Sequence, residues 1–248
     1  MSKKLRNWVI VLITINFFMV LGGVYFIHKK GGITKLFETV KNEPKRVIYY
    51  AHYQNRYTLF KNLPHSNRSI FLVGDDLIKE AEWSEMFQDL RLKNRGMSRD
   101  TLMGVLFRLD EIIEALPEKI FFMIGIFDFL KEASLNDMLV QYESIINQIQ
   151  NRTPTTAIYV QSLLPVNRFL GGAILGEELR KADNQEIKNL NSRLRDMAYQ
   201  YGVTYIDLYP LFEKNGQLNQ HYTLDGLHLN GAGYFVWKQA IMPYFADN

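Results

Sequence analysis

The chain contains no cysteine. That absence excludes a thiol nucleophile, a zinc–thiolate site and any disulfide framework, and it suits a domain on either side of a membrane. A marked excess of one charge is missing as well: 29 Lys and Arg stand against 26 Asp and Glu, a net +3. Both signs are interspersed, so there is no basic stripe to grip a phosphate backbone, and no nucleic-acid partner is expected. Long polar, low-complexity tracts are lacking too. With 47% hydrophobic residues in 248, the chain suits one α/β domain plus an appendage. No cofactor or metal motif is evident, and none is expected to be required.

What is present begins with "WVIVLITINFFMVLGGVYFI", residues 8–27, a run without charge. At 1.5 Å per residue it can cross a bilayer core of roughly 30 Å. It is too long for a signal-peptide h-region and lacks a small-x-small cleavage site, so a single-pass membrane anchor is expected after a short tail, residues 1–7. Lys3, Lys4 and Arg6 precede the run, whereas His28, Lys29, Lys30 and Lys35 follow it. With the free amine added, the bias puts the N-terminus in the cytoplasm and the following domain outside. Residues 28–66, with Tyr49, Tyr50, Tyr53, Tyr57 and Phe60 broken by Pro44 and Pro64, read as a stalk. It is either a partner surface for a membrane protein or a helical linker packed on its own domain.

From residue 67 to 248 the chain is regular. Apolar runs of strand length occur at Ile70–Val73, Ile120–Ile124, Ala157–Val160 and Val203–Ile206, with a weaker one at Leu90–Lys93. Helix-period stretches lie between them, at about 77–88, 101–116, 135–151, 181–200 and 231–244. Continuously apolar strands alternating with helices imply a parallel sheet covered on both faces, with ligands beyond the carboxyl ends of the strands. The distinctive loops fall there: "VGDD" (73–76), "NRGMS" (94–98), "IGIFD" (124–128) and "DGLHLNGAGY" (225–234). In the last, Asp225 and His228 stand three apart before a Gly-rich helix start, and a carboxylate so placed can fix a histidine as general base. Gly74 and Gly96 permit turns whose backbone N–H groups point outward, as an oxyanion site needs.

In this order the four loops resemble the SGNH (GDSL) hydrolase family, and "KNRGMSRDT", "YVQSLLPVN", "YGVTYIDLYPLF" and "YTLDGLHLNGAGY" are similar to its bacterial esterase, lysophospholipase and O-acetylesterase branch. The resemblance covers about 68–245. It implies a three-layer α/β/α fold with a five-stranded parallel sheet, and hydrolysis of acyl esters on lipids or O-acetylated carbohydrates. It implies His228 as general base, Asp225 as its orienting carboxylate and Gly96 as the second-block oxyanion donor. Two positions depart from the pattern. Gly74-Asp75-Asp76-Leu77 puts Asp76 where the serine nucleophile belongs, and Gly125-Ile126-Phe127-Asp128 puts Phe127 where the asparagine donor belongs.

One lost oxyanion donor costs on the order of 10² to 10³ in rate, and a lost serine removes most of what a triad contributes. The expected protein is therefore a degenerate, membrane-anchored member acting as a binding or scaffold component. The alternative keeps the chemistry, with Asp76 as a carboxylate nucleophile in an Asp76–His228–Asp225 set. A divalent metal on the same three residues is a further alternative. His52, His65 and His221 read as loop histidines, and Met97, Met103 and Met123 as core gap fillers. The segment 168–185, with Phe169, Leu170, Ile174 and Leu175, is a substrate lid, a membrane-touching loop or a packed loop.

Overall fold

The computed structural model describes residues 51–64, 66 and 68–245. The run 8–27 read as a membrane anchor lies outside the described residues, as does most of 28–66; among the described residues no helix is long and apolar enough to cross a membrane. Two compact units are distinguished, Met1–Asn55 and Arg56–Asn248. Of the first, residues 51–55 are described, and they are helical.

The second unit is built on five parallel strands in the order β2-β1-β3-β4-β5: β1 (Ile70–Gly74), β2 (Leu92–Gly96), β3 (Lys119–Met123), β4 (Ala157–Gln161) and β5 (Thr204–Ile206). With its helices this makes the three-layer α/β fold expected from the sequence. Every residue of β1 and β3 is buried, which is why those strands read as unbroken apolar runs. Gly74 pairs with Gly96 on one side and with Met123 on the other, so three loops leave the sheet side by side. A Cβ on Gly74 would lie 2.1 Å from the Met123 carbonyl oxygen, so only glycine lets β1 end there.

The helices depart from their sequence periods where polar side chains capture backbone. The stretch 77–88 is split into α1 (Asp76–Lys79) and α2 (Trp83–Phe87), because Asn94 Nδ2 donates to the carbonyls of Ile78, Lys79 and Ala81. The stretch 101–116 is split into α3 (Leu102–Phe107) and α4 (Leu109–Glu114) at Arg108. That side chain is fully buried, with its guanidinium on Asp100 Oδ2 (3.0 Å) and on the Arg95 carbonyl (2.8 Å). Further along come α5 (Ile126–Leu130), α6 (Leu135–Arg152), α7 (Ala173–Leu179), α8 (Asn184–Tyr201), α9 (Tyr209–Phe212) and α10 (Gly231–Ile241). Leu90, expected in a strand, is exposed, and so is Met103, expected in the core; Met97 and Met123 are buried.

Residues 56–62 are helical and pack on the same unit. Phe60 is buried between two guanidinium groups, with Arg56 4.8 Å and Arg95 4.7 Å from its ring centre. Arg56 Nε donates to the Gly96 carbonyl at 2.8 Å, and Arg95 Nε donates to Glu111 Oε1 at 2.9 Å. This helix therefore seals the outer side of β2 just where the second loop begins.

Candidate active site

Each loop at the carboxyl end of the sheet delivers one of the residues singled out by sequence. At the end of β1, Asp75 caps α1 through Oδ1, which accepts from the Leu77 N–H at 3.0 Å. Asp75 is almost wholly buried. That burial pushes its carboxyl well above the ordinary range, against the Leu77 bond and with the neighbouring Asp76, Asp100 and Asp128 adding to the rise. Asp75 thus caps the helix, and Asp76, the first residue of α1, is the acid where the resemblance places the nucleophile. Asp76 is 7% exposed, and its Oδ2 accepts from the backbone N–H of Arg99 at 2.8 Å.

Arg99 was not signalled by any spacing, yet it touches both Asp76 and Phe127. It sits at φ +53°, a left-handed conformation that favours glycine, and that turn is what aims its N–H at residue 76. Its guanidinium lies 5.0 Å from the centre of the Phe127 ring and bonds both carboxylate oxygens of Glu178 on α7 at 3.1–3.2 Å. The second-block donor was expected at Gly96. Its N–H donates to Asn94 Oδ1 at 2.9 Å, a Cβ on it would lie 2.2 Å from the Lys79 nitrogen, and the N–H that bonds Asp76 is that of Arg99.

Phe127 lies in α5, is 2% exposed and brings no donor. Beside it, Asp128 accepts from the Leu102 N–H at 3.1 Å, and burial raises its carboxyl to about 6 despite that bond. On the last loop, His228 Nδ1 and Asp225 Oδ2 are 2.6 Å apart. Asp225 Oδ1 also accepts from the N–H groups of Leu227 and His228, each at 2.9 Å. Burial pushes the Asp225 carboxyl up, but the His228 ring and the two N–H groups outweigh it and hold the carboxyl below the usual range. With Nδ1–H given to Asp225, the neutral ring keeps its lone pair on Nε2.

Among the described residues His228 has an ion-pair contact with Asp225 and none with Asp76. Nor, among the described residues, do three or more His, Asp or Glu side chains gather as a metal site. The loop 167–172 leans on the histidine loop, with the Asn167 N–H donating to the Gly226 carbonyl at 2.8 Å, and leads into α7. Because α7 also carries Glu178, the segment read as a lid or packed loop is tied to both the Arg99 and His228 sides. Phe169 and Leu224 stand exposed at 83% and 86%.

Known proteins are similar to this chain in sequence and fold. A structure from Streptococcus pneumonia, provisionally described as a platelet activating factor, is 25% identical, superposes with a TM-score of 0.75, and covers 84% of this chain and 99% of its own. A GDSL-like lipase from Bacteroides thetaiotaomicron, 20% identical, shares the fold with a TM-score of 0.66 over 79% of this chain and 97% of its own. The human platelet-activating factor acetylhydrolase IB subunit alpha2 is 28% identical over 175 residues, 66% of this chain and 70% of that protein. An N-acylneuraminate cytidylyltransferase of Escherichia coli is 26% identical over 206 residues, 81% of this chain; the chain spans about half, 46%, of that relative's length. The description of the GDSL-like lipase/acylhydrolase family matches residues 78–235, more than half of the sequence, and the chain belongs to that family.

Proposed function

We propose that this protein is a catalytically degenerate family member whose cleft is kept for binding, and that it acts as a binding or scaffold component at a membrane. The observation that carries the reading is the bond from the Arg99 N–H to Asp76 Oδ2. That N–H faces the place where the resemblance expects a serine hydroxyl, and here a buried carboxylate takes it. Phe127 withholds the second donor and stacks under Arg99, so the altered positions support one another. Membrane attachment rests on the uncharged run 8–27.

A second reading is favoured by one observation, the intact Asp225–His228 pair. In it Asp76 attacks an acyl ester of a lysophospholipid or an O-acetylated glycan, the alcohol leaves, and His228 activates water to cleave the acyl-aspartate anhydride. Hydrolysis of p-nitrophenyl acetate by the purified full chain separates the two. The degenerate reading expects no rate above buffer. Turnover that disappears in His228→Ala would overturn it in favour of the second.

A further inference from the structure

At the edge of the sheet away from Asp76, a pocket of about 260 Å³ opens between α8 and the end of β5 with the start of α9. We infer that it is a second site, made for a small carboxylate that also carries hydroxyl groups, the chemistry of an acidic sugar. Strands β3 and β4 separate β5 from β1, and none of Asp76, Arg99, Phe127 and His228 lines the pocket. The inference therefore goes beyond the reading of the family's loops and does not depend on it.

One wall is a single helix face. Lys188, Ser192 and Arg195 are spaced i, i+4 and i+7 on α8, which sets them in one row. Lys188 Nζ lies 5.3 Å from the centre of the Tyr209 ring, and Arg195 donates to Ser192 Oγ at 3.3 Å. Neither cation forms an ion pair among the described residues. The amide of Asn191, on the same face, is taken at both ends by the Leu163 backbone. The opposite wall is Tyr205, Asp207, Tyr209 and Pro210. Tyr209 is 5% exposed, and its buried hydroxyl has no hydrogen-bond partner among the described residues. Burial pushes that phenol up to about 12, with Glu213 and Asp183 adding to the rise, so it stays a neutral donor. Burial raises the Tyr205 phenol too; Asp207 adds to that rise and Arg195 offsets part of it, so both charges act at one hydroxyl.

The charges select the occupant. Lys188 and Arg195 stand against Asp207 alone, which leaves the lining one positive charge in excess and favours an anionic group. The two cations are about 10 Å apart along the helix axis at 1.5 Å per residue, a gap that two long side chains can close. An occupant without donors would take water from Asp207 and return nothing, so hydroxyl groups are needed beside the anion. An ammonium in their place would sit among two like charges, which an uncharged hydroxyl does not. The tyrosine and proline rings supply apolar surface for the C–H face of a sugar. The volume, under the roughly 300–1,000 Å³ of drug-sized pockets, limits the body to a single ring.

The test is a titration of the full chain, 13C-labelled at tyrosine, with the Tyr205 and Tyr209 ring resonances assigned from Tyr205→Phe and Tyr209→Phe. The probes are glucuronate, glucose, propionate and alanine. Glucuronate is expected to shift both resonances saturably in the millimolar range, with the other three weaker by about tenfold or more. Lys188 and Arg195 are exposed on a helix, and glutamine keeps the helix propensity, so Lys188→Gln and Arg195→Gln leave the fold intact. Each should raise the glucuronate midpoint by about threefold, and the two together by about tenfold. No saturable response to glucuronate overturns the inference, as does an unchanged midpoint in the double variant. A midpoint for glucose, propionate or alanine equal to or below that of glucuronate overturns it as well.

Discussion

If Asp76 and Phe127 are the two lesions, restoring both should return ester hydrolysis, and restoring one should not. Asp76→Ser supplies a hydroxyl at the start of α1 and releases the Arg99 N–H, whose φ of +53° already aims it at residue 76. Phe127→Asn supplies the amide donor. Asp76→Ser alone lacks that amide and should run on the order of 10² to 10³ slower than the double variant. The second change has a structural cost. Phe127 is 2% exposed and its ring carries the Arg99 guanidinium at 5.0 Å, so truncating it forfeits about 3–5 kcal/mol of packing by analogy with Phe→Ala. A thermal melt must therefore accompany each rate, and rates are compared below the melting range of the weakest variant. The assay is p-nitrophenyl acetate hydrolysis, with His228→Ala in the double background as the control. Equal rates for Asp76→Ser and the double variant would refute the reasoning, because Phe127 would then not be withholding a donor. A double variant that is folded yet insensitive to His228→Ala would refute it as well.

Two further outcomes follow from the same geometry. Burial holds the Asp128 carboxyl at about 6 against an ordinary 3.8, so the folded state binds its proton more tightly than the unfolded one. The associated stability is fully present below about pH 4 and is lost as pH rises through about 6. Asp128→Asn keeps an oxygen for the Leu102 N–H without ionising, and it should stabilise the protein at pH 8 by about 1–3 kcal/mol with no gain at pH 4, read as melting temperature at the two values. Gly74→Ala would place a Cβ 2.1 Å from the Met123 carbonyl oxygen and 2.6 Å from Ile78 Cγ1, forcing β1 from β3. A loss of about 1–3 kcal/mol or more is expected, and a melting temperature equal to that of the unaltered chain would show that the strands can part without cost.

Much of the fold was legible because buried parallel strands leave an unmistakable trace. The runs at Ile70–Val73 and Ile120–Ile124 differ by a residue or so from β1 and β3. Helix breaks were not legible, since Asn94 and Arg108 act through side chains on distant backbone, which no periodicity records. In the site, Asp225 and His228 could be found from spacing because one loop carries both. Arg99 could not. Its role depends on a left-handed turn adopted by a non-glycine residue and on Glu178, 79 positions later in the chain. For the same reason Gly96 attracted the donor's role: a glycine in a loop suggests a free N–H, and nothing in the string shows that Asn94 has already taken it.

The seal made by Phe60 fixes where a shortened version of this protein has to start. Cut at residue 67, just before the first strand, the polypeptide would lose the ring that covers the Arg95 guanidinium, a side chain only 3% exposed, and the Gly96 carbonyl would lose its donor in Arg56. Water would reach a cation that is otherwise shielded by two aromatic rings, those of Phe60 and Phe71. The folding unit is thus longer than the sheet it encloses, and its first turns of helix belong to it as much as β1 does.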